Sequence, residues 1–170
     1  QFQPFEVESW SRGTISLQVG EQINNLQNIK TVSLAHAPVA AHEQLPIVDM
    51  GNGVEADYQS NPEKVKGKIA LVYLGVLPNS PKGTPGLHRS EKAAIAIKYG
   101  AKGIIVINTA PKGVLLTGTA SVTGKLIPIP AICIGLEDGM RLKDQIQNGK
   151  SLIAKIDLTN NSKLIKARNV

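Results

Sequence analysis

Two apolar stretches decide the fold of this 170-residue chain: KIALVYL at 68–74 and GIIVIN at 103–108. Each is almost continuously apolar, which is typical of a strand buried on both faces, as in a parallel sheet. The segment between them, 89–99, predicts a helix that begins at a candidate N-cap, Ser90, and ends before Gly100. Strand, helix and strand in this order predict a right-handed βαβ crossover.

The pattern continues towards the C-terminus. The stretch 127–134 predicts a third strand, whose pairing begins near Ala131 because prolines precede it. Residues 137–148 predict a helix with acidic residues in its first turn. Apolar residues alternate along 152–158, which predicts a strand buried on one face, as an antiparallel neighbour has.

The first third of the chain is less regular. Alternating apolar residues predict a half-buried strand at 13–19, and two short strands are candidates at 31–34 and 45–50. The Asn- and Gln-rich segment 21–29 predicts a loop, and 55–60 predicts one helical turn. Together these elements predict an α/β fold with a mostly parallel central sheet and a few short helices.

The net charge of +6 is unevenly distributed: residues 1–60 carry −5 and residues 61–170 carry +11. Such asymmetry can mark a nucleic-acid-binding surface. However, 15 of the 19 basic residues are lysines without long runs, and aromatic residues make up only 4%. We therefore expect a solvated lysine-rich face and no nucleic-acid partner. No stretch approaches 18 continuous apolar residues, so we expect no membrane insertion.

Motifs for catalysis are hard to find. His36 and His42 lack the spacing of metal ligands on a helix, and Cys133 lies inside an apolar strand, which predicts a buried, inert thiol. The segment 51–56 fits G-x-G-x-x-A, but Pro62 interrupts the long helix that a dinucleotide site requires. A glycine-containing turn is the favoured interpretation. We predict no catalytic, cofactor-binding or metal-binding residue in this chain.

Two long loops remain as candidate sites, at 76–87 and 110–125. Both follow predicted parallel strands, and α/β folds bind ligands at the carboxyl ends of such strands. The candidate residues for contact with a substrate or partner are Pro78, Lys82, His88, Thr119, Thr123 and Lys125.

The succession of motifs resembles the protease-associated (PA) domain. VKGKIALV at 65–72 is followed by a helix, by GAKGIIVIN at 100–108 and by IPIPAI at 127–132. The resemblance covers about 61–158, and ICIGLED at 132–138 is similar to carboxypeptidase Q-like and aminopeptidase-type zinc exopeptidases. Residues 1–170 are thus expected to form a single PA-like domain, an insert excised from a larger peptidase.

The resemblance implies a swivelling β/β/α fold with helices on one side of the sheet. It also implies a non-catalytic role in an extracytoplasmic protein, where the domain covers the active-site cleft, shapes substrate access or holds protein partners. Its implied partners are the parent catalytic domain and its peptide substrates, and zinc is implied for the parent alone. The alternative function is a free-standing module that binds peptides or proteins, as in sorting receptors. The third and weakest hypothesis is a nucleic-acid-binding domain.

Overall fold

The computed structural model of the chain describes residues 4–168. Its strands are β1 (Pro4–Gly20), β2 (Gln27–Asn28), β3 (Thr31–Ser33), β4 (Ala40–Asp49), β5 (Ile69–Tyr73), β6 (Gly103–Ile107), β7 (Ala131–Ile134) and β8 (Ile153–Arg168). Its α-helices are α1 (Glu55–Gln59), α2 (Arg89–Lys98) and α3 (Leu136–Gln147), and short 3₁₀ helices cover Ile23–Asn25 and Pro62–Lys64.

The strands form one sheet in the order β2-β1-β8-β4-β5-β6-β7-β3. The four strands β4 to β7 are parallel neighbours, whereas the other pairs are antiparallel. The predicted mostly parallel sheet is therefore not confirmed: the sheet is mixed and mainly antiparallel. The physical reason is the length of β1 and β8, which have 17 and 16 residues and pair antiparallel along almost their whole length.

Both faces of the central strands are buried, as their continuous apolar sequences predict. On β5, Ala70 and Val72 belong to one core cluster and Ile69 and Leu71 to the other. Helix α2 contributes alanines to the first cluster, whereas α3 contributes Leu142 to the second. The expectation of helices on one side only is thus wrong, because α2 and α3 cover opposite faces.

The predicted elements of the second half are confirmed with small shifts. Strand β7 begins at Ala131, and β8 is antiparallel to β4 and β1. The N-cap of α2 is His88 rather than Ser90: the His88 side chain accepts a hydrogen bond from the Ser90 amide, and Glu91 bonds back to the His88 amide. This arrangement is a capping box with an imidazole in the place of a hydroxyl.

Strands β1 and β8 continue beyond the body of the sheet as a two-stranded ribbon, here called the arm (residues 4–12 and 160–168). The pairing runs from Arg12 with Asn160 to Pro4 with Arg168, whereas β4 pairs with β8 only as far as Thr159. The predicted strand begins at residue 13 and does not include the arm, whose residues are largely polar.

Candidate functional site

Two loops leave the same edge of the sheet, after the neighbouring parallel strands β5 and β6. The first loop, 74–88, ends at α2, and the second, 108–130, ends at β7. The second loop contacts the start of α2, where the Arg89 guanidinium lies against Gly118, whose φ is +129°. A Cβ atom at position 118 would overlap that guanidinium, so this contact requires glycine.

The first half of the first loop is anchored by two buried side chains. Asn52 accepts a 2.7 Å hydrogen bond from the Leu77 amide and donates another, also 2.7 Å, to the Ser80 hydroxyl. Asn52 stands in the glycine turn of the G-x-G-x-x-A match, where Gly51 and Gly53 have φ values of +59° and +67°. The turn interpretation is supported, and the turn serves to hold the loop.

The second anchor is Lys92 of α2, whose side chain is fully buried. Its ammonium donates hydrogen bonds to the carbonyl oxygens of Tyr73, at 2.6 Å, and Gly75, at 3.0 Å. Burial lowers the Lys92 pKa to about 8. The carbonyl dipoles at the end of β5 stabilise the charge of Lys92. The same two hydrogen bonds fix the start of the first loop.

The three candidates of the first loop differ in what they contact. Pro78 and Lys82 are exposed. His88 is also exposed, but its Nδ1 lies 2.7 Å from the Ser90 hydroxyl as part of the helix cap. The capping role already uses this nitrogen of the imidazole.

The second loop is held by the segment that follows β3. A parallel bridge joins Ala35 to Thr119, with bonds from the Ala35 amide to the Gly118 carbonyl (2.7 Å) and from the Ala120 amide to the Ala35 carbonyl (2.9 Å). The Thr119 hydroxyl lies 2.7 Å from Nδ1 of His36 and accepts a 3.0 Å bond from the Ser121 amide. Thr119 is therefore engaged inside the domain.

The start of the second loop is held by α3. Glu137 accepts bonds from the amides of Lys112, at 2.6 Å, and Gly113, at 3.0 Å. Its own amide and those two amides hold the pKa of the Glu137 carboxyl below its usual value. The sequence predicts this acid only as a residue of the first turn of a helix, and the structure adds its contact with the loop.

The tip of the second loop lines a cavity of about 690 Å³ between the arm and His36. Its lining residues are Glu6, Val7, Glu8, His36, Thr123, Gly124, Lys125 and Leu164. Thr123 and Lys125 therefore lie together at this cavity. Thr119 does not line it, but its hydroxyl is hydrogen-bonded to His36, which does. Pro78, Lys82 and His88 do not line this cavity.

His36, Asn52 and Lys92 were missed by sequence analysis as site residues. His36 has a left-handed backbone with φ of +67°, a conformation in which histidine is enriched among non-glycine residues. The Asn-Gly pair at 52–53 signalled only a turn. A buried lysine leaves no sequence signal, because its acceptors come from strand β5 and the residues after it.

The other titratable candidates lie outside the loops. His42 is exposed on β4 and lies 2.9 Å from an Asp157 carboxylate oxygen. Cys133 is buried, and burial raises the pKa of its thiol, as its apolar strand predicts. Across residues 4–168, no group of three or more His, Cys, Asp or Glu side chains could hold a metal ion. The described residues therefore offer no ligand set for the zinc ion that the resemblance implies for the parent enzyme.

The fold defines a small mixed α/β domain whose candidate site consists of two anchored loops and a neighbouring ribbon. Residues 36–142, more than half of the chain, match the family model of the PA domain. The chain belongs to the PA domain family, which confirms the resemblance, although the match begins before residue 61 and ends before residue 158.

Solved structures with this fold include an aminopeptidase from Aneurinibacillus sp. strain AM-1, with a TM-score of 0.75 and 22% identity. A peptidase M28 precursor from Shewanella amazonensis also gives a TM-score of 0.75, with 20% identity, and a zinc aminopeptidase from Bacillus subtilis gives 0.63, with 20% identity. This chain is covered over 98–99% of its length, but it spans only 36–39% of those chains. Comparison with curated proteins found no match.

The helices offer no candidate for membrane insertion within residues 4–168: none of them is both long and apolar enough to cross a bilayer.

Proposed function

We propose that this chain is a non-catalytic accessory domain of an extracytoplasmic zinc-dependent exopeptidase, in which it covers the active-site cleft and shapes substrate access or protein contacts. Membership of the PA domain family and the likeness in fold to parts of zinc aminopeptidases support this role. The parent enzyme, its substrates and its location belong to the proposal.

One observation carries the proposal most strongly. Pro4 and Arg168 are direct partners in the arm, so the two ends of the described part of the chain lie side by side. This geometry allows a domain to be inserted into a loop of another domain without disturbing its fold. The arm would then join the accessory domain to the catalytic one.

The loop contacts support a role in shaping access. Contacts of Asn52, Lys92 and His36 hold parts of both loops, while Lys82, Thr123 and Lys125 remain exposed. Loops that are anchored in this way but keep exposed side chains suit a surface that limits what can enter a neighbouring cleft. In this role the tips contact the substrate and perform no chemistry.

A direct test is to assay the 170-residue chain with added zinc on short peptides. The proposal expects no turnover above buffer containing zinc. A saturable, metal-dependent rate from this chain that chelation abolishes would contradict it.

The second candidate is a free-standing module that binds peptides or proteins, and the cavity of about 690 Å³ favours it because that volume lies in the range of ligand sites. The sequence of the gene beyond this chain separates the two candidates. Zinc-ligand motifs there support the accessory role, whereas a membrane span without them supports the module.

A further inference from the structure

Arg89, the first residue of α2, carries a charge that no carboxylate of residues 4–168 neutralises. Its Nε atom is buried and has no hydrogen-bond partner in this part of the chain. The ion pairs of the described residues all involve other cations. Burial of a cationic donor without a partner is unfavourable, so an anion supplied from elsewhere would stabilise this side chain.

The guanidinium lies at the edge of the sheet from which the two loops leave. Its Nε, Cζ and Nη2 atoms lie against Gly118 of the second loop, where a Cβ atom would overlap them. Its charge also acts on Cys133 of β7: burial raises the pKa of that thiol, and Arg89 opposes part of the rise. Since Arg89 as a whole is only half-buried, part of its side chain is accessible from solvent at this edge.

The neighbouring groups at the start of α2 are already engaged with His88. The Glu91 carboxylate accepts a 2.8 Å hydrogen bond from the His88 amide. The Ser90 amide donates to the His88 imidazole, and the amides of Glu91 and Lys92 donate to the His88 carbonyl. Phosphate groups bind at helix N-termini through free amides of this kind. The start of α2 therefore offers one guanidinium and no cradle of amides.

We propose that Arg89 binds a carboxylate of a peptide ligand at the edge between the two loops. A guanidinium is planar and presents parallel N–H donors that match the two oxygens of a carboxylate. The carboxylate is either the free C-terminus of the peptide or an aspartate or glutamate side chain within it. This inference goes beyond the proposed function and does not depend on it, because the binding is measured on the 170-residue chain without a parent enzyme.

The Arg89 Nε–H signal in ¹H–¹⁵N spectra of the 170-residue chain is a direct probe. Acetate, titrated against chloride at constant ionic strength, should shift this signal saturably, and inorganic phosphate should bind more weakly. The Arg12 Nε–H, which already donates to the Ser33 carbonyl at 3.0 Å, is the internal control and should show no saturable shift. The proposal is overturned if acetate gives no saturable shift, if Arg12 responds equally, or if phosphate binds more tightly.

Substitutions separate an oriented site from a general effect of charge. Arg89→Gln should weaken acetate binding, read at the Gly118 amide, by about 10-fold or more, whereas Arg141→Gln, at an exposed arginine paired with Asp138, should not. Gly118→Ala keeps the charge but displaces the guanidinium, so it should also weaken binding, whereas Gly124→Ala, whose Cβ meets nothing, should not. Backbone amide spectra verify that each variant is folded. Unchanged affinity in Arg89→Gln, or equal effects of the two glycine substitutions, would overturn the proposal.

Three blocked dipeptides identify the source of the carboxylate. Acetyl-alanyl-alanine has a free C-terminus, its amide has no charge, and acetyl-alanyl-aspartic acid amide carries only a side-chain carboxylate. At least one of the two charged peptides should shift the Arg89 Nε–H signal saturably, and the tighter one assigns the site to a peptide C-terminus or to an acidic side chain. Equal binding of the uncharged amide would show that no carboxylate is recognised and would overturn the proposal.

Discussion

The Lys92 ammonium lies 2.6 Å from the Tyr73 carbonyl oxygen, so a fully buried charge on α2 binds the last residue of β5. No carboxylate bonds to this ammonium among the described residues, and its two acceptors are main-chain carbonyls. Burial of this charge costs free energy through its desolvation, and the attraction of the Asp57 carboxylate offsets only part of that cost. The desolvation cost of Lys92 therefore arises at the start of the first loop and can be measured in the free energy of unfolding.

This penalty makes stability depend on pH. The Lys92 pKa is lowered from 10.5 to about 8 in the folded chain, so between these values the unfolded chain binds more protons and the free energy of unfolding rises with pH. We expect this lysine to contribute a rise of about 2 kcal/mol between pH 7 and pH 9.5. Urea unfolding of Lys92→Met should lack that rise, whereas Lys82→Met, at an exposed lysine, should keep it. Parallel pH profiles for all three proteins would contradict the assignment.

Asp49 and Lys143 form a nearly buried ion pair at 2.6 Å between β4 and α3, with side chains 12% and 10% exposed. Removing one member leaves a desolvated charge, so Lys143→Met should lower the free energy of unfolding by about 3 kcal/mol. The double variant Asp49→Leu with Lys143→Met should recover part of that loss. A double-mutant cycle measured by urea unfolding checks this, and additive losses would show that the pair is not coupled.

Gly118 and Gly124 offer a matched pair of substitutions in the second loop. Both have positive φ, +129° and +75°, but only at Gly118 would a Cβ meet the Arg89 guanidinium, whereas position 124 is open. Gly124→Ala should cost about 1 kcal/mol from backbone strain alone. Gly118→Ala should cost more and should also accelerate hydrogen exchange at Ala35 and Ala120, which the bridge protects. Equal effects of the two substitutions would contradict the contact between Arg89 and the loop.

Among residues 4–168 the buried Tyr58 hydroxyl has no hydrogen-bond partner, and its ring stacks on Tyr99 at 5.1 Å between centroids. Since an unpaired buried hydroxyl is unfavourable, Tyr58→Phe should raise the free energy of unfolding by about 1 kcal/mol. Tyr99→Phe keeps the stack but loses a 2.6 Å bond to Glu55, so it should lower stability. Thermal unfolding of both variants tests this prediction. A lower unfolding temperature for Tyr58→Phe than for the unsubstituted chain would show that the hydroxyl has a hydrogen-bond partner.

The central elements could be predicted because their signals are local. The apolar stretches of β5 and β6, the helix between them and the prolines before β7 act within a few residues. The arm could not be predicted, because residues 160–168 lose the apolar alternation and are held by pairing with residues more than 140 positions away. The prediction of a mostly parallel sheet was wrong for the same reason, because the antiparallel pairing of β1 with β8 joins distant parts of the chain.

The candidate site was predictable only in part. Loops after parallel strands pointed to Thr123 and Lys125, which line the cavity, but the sequence could not show that Thr119 and His88 are used within the fold. Glu6 and Leu164 join the site only through strand register. Such contacts depend on tertiary structure, and no pattern along the chain records them.

Kinetics of the intact parent peptidase with a shortened loop tip test the central proposal most directly. Residues 122–125 would be replaced by two glycines, with Ile23→Ser, outside the cavity that the tip lines, as the control. If the domain shapes access, the ratio of kcat/KM for hexapeptides to that for dipeptides changes several-fold and the control leaves it unchanged. An unchanged ratio in the shortened enzyme, with the domain still folded, would contradict the account.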